Sequence, residues 1–258
     1  MSNRNKYLLQ SVENSLRVLE AFREEEPELG ISELARKLGL SRSSVYRIVA
    51  TLTARGFLAQ ETANGKYRLG LGALRVGCVA LNLLDVRRQA RPYLEELVRD
   101  TGETAHLVLL EECYAVFVDK VESTRPFNLT SRLGWRAPAY ATATGKCLLA
   151  FNSIDDKIAK IAAAGPMRRL TPKTVADPEK LREELKMVRQ QGYAMDFEET
   201  QEGMVCFGAP IRDRLGRAIA AISLSGPAAR MLPRQDDLIA RIVSRAASIS
   251  RSFGCDIT

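Results

Sequence analysis

The stretch Ser32–Leu58, SELARKLGLSRSSVYRIVATLTARGFL, reads as helix, short turn, helix. Ser32 is placed to cap the first helix. Gly39 is placed to end it, because glycine accepts the left-handed backbone that closes many helices. Ser41 can then cap a second helix from Arg42 to about Arg55, with Gly56 as its stop. On that helix Val45, Val49 and Leu52, with Ile48 beside them, form one apolar stripe, the face expected against a small core. The opposite side begins with Ser43, Ser44, Tyr46 and Arg47 and continues with Ala50 and Ala54. Such a face suits the major groove of DNA. Arginine pairs with phosphate or guanine, serine adds hydrogen bonds, and small residues permit close approach. On these residues alone, a helical hairpin with a solvated face is the competing reading.

The flanking sequence favours the groove. Ser11 is placed to cap a preceding helix to about Arg23, with Val12, Leu16, Leu19 and Phe22 on one face and Pro27 and Gly30 ending it. Residues 1–10 read as a loosely held basic arm. After Gly56 the period changes to two: FLAQE, a turn at TANG, and a returning strand KYRLG. Lys66 and Arg68 share one face of that returning strand. A helix-turn-helix followed at once by a basic-tipped hairpin is a winged helix. Its groove-facing residues are Ser41, Arg42, Ser43, Ser44, Tyr46 and Arg47. Lys66 and Arg68 are set to meet the DNA backbone or minor groove and to hold register. Between Ser41 and Arg75 the cations Arg42, Arg47, Arg55, Lys66, Arg68 and Arg75 stand against Glu61 alone, whereas the whole 258-residue chain carries a net charge of only +7. The local patch therefore points to a polyanionic partner.

SVENSLRVLEAF, ISELARKLGLSRSSVYRIVATLTARGFL and KYRLGLGALRVG resemble the N-terminal domain of the IclR family of bacterial transcription regulators. Further on, APAYATATGKCLLAF, QGYAMDFEETQEGMVCFGAPIRDRLGRAIAAISLSGP and the closing helix resemble that family's effector-binding domain, so the likeness spans nearly the whole chain. It implies an α+β protein. Residues 1–72 would form a winged helix-turn-helix, 73–85 a linker helix, and 86–258 a GAF-like effector-binding and oligomerisation domain with an antiparallel sheet. It also implies dimers, often dimers of dimers, and an effector pocket lined by the positions Leu129, Ala143, Thr144, Asp196, Met204, Cys206, Ser223 and Ser225. The function implied is ligand-responsive control of transcription, repressing or activating a catabolic operon. Its partners would be a roughly palindromic double-stranded operator and a small organic acid.

The residues support parts of this on their own. An apolar fraction of 46% supports real cores. GALRVGCVALNLL, up to about Leu84, is too apolar for a solvated connector and reads as a helix packed on a partner subunit or on its own chain. A helix around Arg87–Thr101 contains Pro92, which predicts a break or a first-turn position there. Thr104–Leu110 and Tyr114–Val121 read as a hairpin, Phe127–Arg132 as a further strand, and GWRAPAYAT as an irregular loop. Thr144 is placed to cap a helix beginning at Gly145. Pro178–Gln191 is a helix with Asp177 at its cap and Gly192 at its stop. Cys206–Ile211 and Arg217–Ser225 read as strands, and about Arg234–Phe253 as the last helix. Helices at both ends of antiparallel hairpins predict the α+β class.

Within that second half, Ser223 and Ser225 point to one face of a strand. Burying two hydroxyls unpaired costs about 1–3 kcal/mol each, so a polar partner is expected. The loop Ala141–Gly145 leads into a helix N-terminus suited to a carboxylate. An acidic Asp196 beside it argues for a ligand with a hydroxyl or a proton to donate. Each residue has a plainer role as well: the serines bonded to nearby backbone, Cys206 as a small buried hydrophobe, Asp196 as a turn cap. Trp135 and Tyr140 fit an aromatic wall or a subunit interface equally.

Five cysteines without a CxxC spacing argue against a disulfide framework and a zinc site. The single histidine, His106, reads as structural, and its solitude weakens any histidine-dependent triad or metal site. No cofactor is expected. The absence of a signal-peptide pattern or a long apolar run predicts a cytosolic chain without membrane contact. Two rival functions are an enzyme domain using the Cys206 thiol, for which no activating base is evident, and an architectural DNA protein, which would not need so large a patterned second half.

Overall fold

The computed structural model describes residues 8–125 and 131–255, and the chain divides into two compact units between Leu83 and Leu84. In the first unit, α1 (Gln10–Glu20), α2 (Ile31–Leu38) and α3 (Arg42–Ala54) precede a hairpin of β1 (Leu58–Gln60) and β2 (Tyr67–Leu69), then α4 (Leu71–Asn82). Val18, Phe22, Leu29, Leu34, Val45, Val49, Leu58 and Tyr67 form its core. The stripe of α3 is thus buried as its spacing predicts. Gly39 adopts φ 68°, and the Ser41 hydroxyl accepts the Ser44 N–H at 3.1 Å, so both local signals at the α2–α3 turn are used. Leu29 bridges to Tyr67 and adds a third short segment beside the hairpin.

Two helix starts differ from the sequence reading. α2 is capped at Gly30 rather than Ser32, because the Glu33 carboxylate reaches back to the Gly30 N–H at 2.7 Å and supplies the capping contact. α1 begins at Gln10 with Leu9 at its cap, two residues before the expected cap at Ser11. Val12 and Leu16 are exposed there, and Val18 takes the buried position instead. α4 is helical as expected and exposes Leu71, Leu74, Val76 and Val79.

The second unit starts with α5 (Asp85–Thr101), β3 (Thr104–Glu111), β4 (Tyr114–Val121) and β5 (Arg136–Pro138). It continues with α6 (Ala143–Ala150), α7 (Ile154–Ala163), α8 (Pro178–Gln191), β6 (Ala194–Phe197), β7 (Met204–Arg212) and β8 (Ala218–Pro227). The short α9 (Ala228–Met231) and the long α10 (Gln235–Ser252) close it. The six strands form one antiparallel sheet in the order β5-β4-β3-β8-β7-β6. α6, α7 and α8 share a core with sheet residues such as Val108, Phe117 and Ala221. α5 and α10 pack on each other and on β3 and β7.

Several expectations are corrected here. Pro92 lies inside an unbroken α5, neither at a break nor in the first turn; buried Ala90, Leu94 and Leu97 anchor the helix on both sides of the missing N–H. The segment GWRAPAYAT is ordered as β5, paired with β4, and a 3-10 turn at Ala139–Ala141. α6 starts at Ala143 rather than Gly145, because the hydroxyl of Thr142, not Thr144, accepts the Gly145 N–H at 2.9 Å. α7 and β6 are additional elements. Of the strand expected at Phe127–Arg132, residues 127–130 lie outside the described residues, and Ser131 and Arg132 are not in a strand.

Candidate functional site

The α3 face is built outward from its cap. Ser41, Arg42, Ser43, Ser44, Tyr46 and Arg47 are all exposed. The Ser41 hydroxyl also bonds the hydroxyls of Ser43 (3.0 Å) and Ser44 (2.8 Å), which gathers three polar side chains at a helix N-terminus with its partial positive charge. Arg42, Arg47 and Arg55 are all exposed, so their charges face solvent. The hairpin cations differ. Lys66 pairs with Glu33 at 2.9 Å, and Arg68 pairs with Glu61. Asn64 at the hairpin tip donates to Glu28 at 2.8 Å.

The second unit contains a cavity of about 60 Å³ lined by His106, Phe117, Ser131, Trp135, Thr142 to Thr144, Asp196, Thr200, Gln201, Met204, Cys206, Ser223 and Ser225. That is several times the roughly 10–15 Å³ that one water requires on the same measure. Strand register creates it. One cross-strand row runs Thr104, Ser225, Cys206, Asp196, and the next runs His106, Ser223, Gly208, Ala194. Side chains two apart on a strand share a face, so four strands deliver their polar groups to one patch. At Gly208 the first turn of α6 comes so close that a Cβ there would sit 2.8 Å from the Ala143 carbonyl carbon. Glycine at that point lets the helix start lie directly over the polar rows.

His106 is the centre of the far wall. Its Nε2 lies 2.8 Å from the Ser131 hydroxyl, and its Nδ1 lies 3.4 Å from the hydroxyls of both Ser223 and Ser225. Its ring meets Phe117 edge-on at 5.2 Å, and Phe117 packs against Trp135. Burial, helped by the nearby Lys120 charge, pulls His106 down to about 3, so the imidazole is neutral at physiological pH. Asp196 is buried too, and burial pushes its carboxyl up to about 6 despite hydrogen bonds from Thr200 and the Glu199 N–H. The Cys206 thiol is raised well above its ordinary value by burial and by Asp196. A thiol held protonated in this way is a poor nucleophile.

The structure brings Ala143, Thr144, Asp196, Met204, Cys206, Ser223 and Ser225 together around one cavity. Leu129 lies outside the described residues. Trp135 lines the cavity, whereas Tyr140 does not: it is buried in the neighbouring core with its hydroxyl on the Arg168 carbonyl at 2.9 Å. Asp196 does cap a turn, and it faces the cavity as well.

Residues 11–62 match the IclR helix-turn-helix domain, and residues 78–251 match the bacterial transcriptional regulator IclR C-terminal domain. The chain belongs to the IclR family. It is 38% identical over 231 residues to the HTH-type transcriptional regulator KdgR of Escherichia coli, covering 89% of this chain and 88% of that one. It is 37% identical over 218 residues to the regulator XynR of the same organism, covering 84% and 86%. The crystal structure of the Thermotoga maritima IclR superposes with a TM-score of 0.74 at 30% identity, covering 95% of this chain and 99% of that one.

As a member of the IclR family the chain is a DNA-binding transcriptional regulator and not an enzyme. The protonated Cys206 accords with that. No helix among the described residues is long and apolar enough to cross a membrane. Sequence reasoning missed His106, Phe117, Ser131, Thr200 and Gln201 as cavity residues. For His106 a signal did exist: it lies two residues after Thr104 on a polar-dotted strand, so both face one side.

Proposed function

We propose that the cavity of this regulator binds a small organic acid bearing a hydroxyl or carbonyl group, and that its occupancy sets the affinity for operator DNA. One observation carries the reading: two cross-strand rows that carry Thr104, Ser225, Cys206, Asp196, His106 and Ser223 lie under the start of α6. The first-turn N–H groups of Ala143 and Thr144 suit the carboxylate. Ser223, Ser225, His106 and Asp196, whose carboxyl burial pushes up to about 6, suit the other end, where hydroxyl donors and acceptors are both met. Met204 and Cys206 supply apolar contact, and Leu129 belongs to the same pocket by resemblance.

In this reading Ser41, Arg42, Ser43, Ser44, Tyr46 and Arg47 enter the major groove, and Lys66 and Arg68 exchange their carboxylate partners for phosphates. The exposed apolar residues of α4 support self-association as a dimer or dimer of dimers. A dimer places two recognition helices on a roughly palindromic operator, here that of a catabolic operon. The acid shifts DNA affinity only by as much as it binds one state of the regulator better than the other. The test is operator selection from a random DNA pool, followed by operator titration with and without candidate acids. A palindromic site whose affinity responds to one acid is the expected result. A site indifferent to every acid that binds the protein removes the coupling.

A further inference from the structure

Lys146 lies on α6, two residues beyond Thr144, and its long side chain is fully buried. Its ammonium lies 2.5 Å from Glu184 Oε1 on α8, contacts Glu199 Oε1, and donates to the Met195 carbonyl of β6 at 3.2 Å. Burial alone would lower this lysine, but the two carboxylates outweigh it and hold the ammonium above its ordinary value. Burial pushes Glu199 up to about 7, with Lys146 pulling the other way. Such a cluster is weak ground for stability, since desolvation offsets much of the attraction between its charges. What it can fix is position.

The segment it grips is one wall of the cavity. Asp196, Thr200 and Gln201 line that wall, and Glu199 sits among them. The Glu199 N–H donates to Asp196 at 2.7 Å. From outside, the Thr171 and Thr174 hydroxyls donate to the Glu198 and Glu199 carbonyls, each at 2.7 Å. The facing wall is the first turn of α6, three residues from Lys146 along one rigid helix. A single side chain therefore ties both walls together while standing outside the cavity lining.

We infer that Lys146 is a positioning residue of the cavity: through Glu199 and the Met195 carbonyl it holds the Asp196–Gln201 wall at a fixed distance from the start of α6. Its link to the effector rests on the cavity reading above, but the test needs no ligand. A failed effector screen and a failed test of Lys146 are thus separate results.

The experiment is hydrogen exchange on the full chain, comparing the native protein with Glu199→Gln and with the double variant Lys146→Met/Glu199→Gln. The double variant removes the ammonium together with its more buried carboxylate partner and leaves Glu184, whose side chain is 24% exposed and reaches solvent. Glu199→Gln keeps Lys146 on Glu184 and the Met195 carbonyl and guards against a double variant that does not fold. Exchange in residues 196–201 should accelerate about tenfold in the double variant and by a smaller factor in Glu199→Gln, with β7, β8 and α10 unchanged. Native protection of 196–201 in either folded variant overturns the proposal. So does a uniform acceleration across β7, β8 and α10, which marks a role in stability alone.

Discussion

The two units of this regulator treat polar chemistry in opposite ways. In the first, Ser41 to Ser44, Tyr46 and Arg47 stand in solvent on the outer face of a short helix over a small core. In the second, His106, Asp196, Ser223 and Ser225 are each at most 4% exposed. A surface that meets a polyanion needs reachable charge and serines that cost nothing when free. A pocket that reads a small molecule needs dry, pre-bonded groups whose desolvation has already occurred in folding. On the function proposed above, the contrast teaches where each unit is vulnerable: the exposed α3 face to loss of single charges, the cavity to loss of single hydroxyls.

The largest effect expected from breaking that contrast is at the cavity. Ser223→Ala with Ser225→Ala should abolish the change in operator affinity on adding the acid and leave acid-free operator affinity unchanged. Retained response in that variant would move the pocket elsewhere.

A pH series sharpens the same point. The Asp196 carboxyl holds its proton up to about 6 in the fold but only to about 3.9 when unfolded. The native state therefore gains stability as pH falls from 7 to 4, by about 2–3 kcal/mol from this group. Glu199, raised to about 7, acts in the same direction over a higher range. His106 acts in the opposite direction. It stays neutral in the fold while the unfolded chain takes up a proton near 6.5, so the native state loses stability as pH falls below that value. Urea unfolding should show the stability of Asp196→Asn, relative to native, falling by about 2–3 kcal/mol between pH 7 and pH 4. A constant difference would mean that Asp196 is not the buried titrating acid.

At the reading head, Arg47→Ala should weaken operator binding by about 1–3 kcal/mol, with acid binding intact in a direct titration. Unchanged operator affinity would take Arg47 off the groove face. The smallest effect is expected at the hairpin, where each cation already has a carboxylate partner. Lys66→Ala or Arg68→Ala should reduce the slope of log affinity against log salt by about one, with little discrimination among sequences.

How much of this was legible in the sequence follows from range. The α3 stripe, the Ser41 cap and the Gly39 stop are local signals, and all three hold. So are Asp177, Pro178 and Gly192 around α8. Ser223 and Ser225 could be paired from their spacing on one strand. Cap positions failed where two candidates competed, Thr142 against Thr144, or where a downstream carboxylate did the work, as Glu33 does for Gly30. The strand spacing puts His106 on the face of Thr104, but its place opposite Ser223, 117 residues away, depends on β3 lying beside β8. Lys146 could not be placed. A lysine on a helix reads as solvated until Glu184 and Glu199 arrive from two other elements.

The central claim is that this cavity senses a small organic acid, and Trp135, the only tryptophan of the chain, lines it. The most direct measurement is a thermal-unfolding and Trp135-emission screen against hydroxy acids, oxo acids, sugar acids and aromatic acids, on the native protein and on Ser223→Ala/Ser225→Ala. The account predicts an acid that shifts Trp135 emission and, at about 100 times its dissociation constant, adds about 2.7 kcal/mol of apparent stability, with both effects lost in the double variant. An acid that stabilises both proteins equally, or a screen in which no acid moves Trp135 at all, would contradict it.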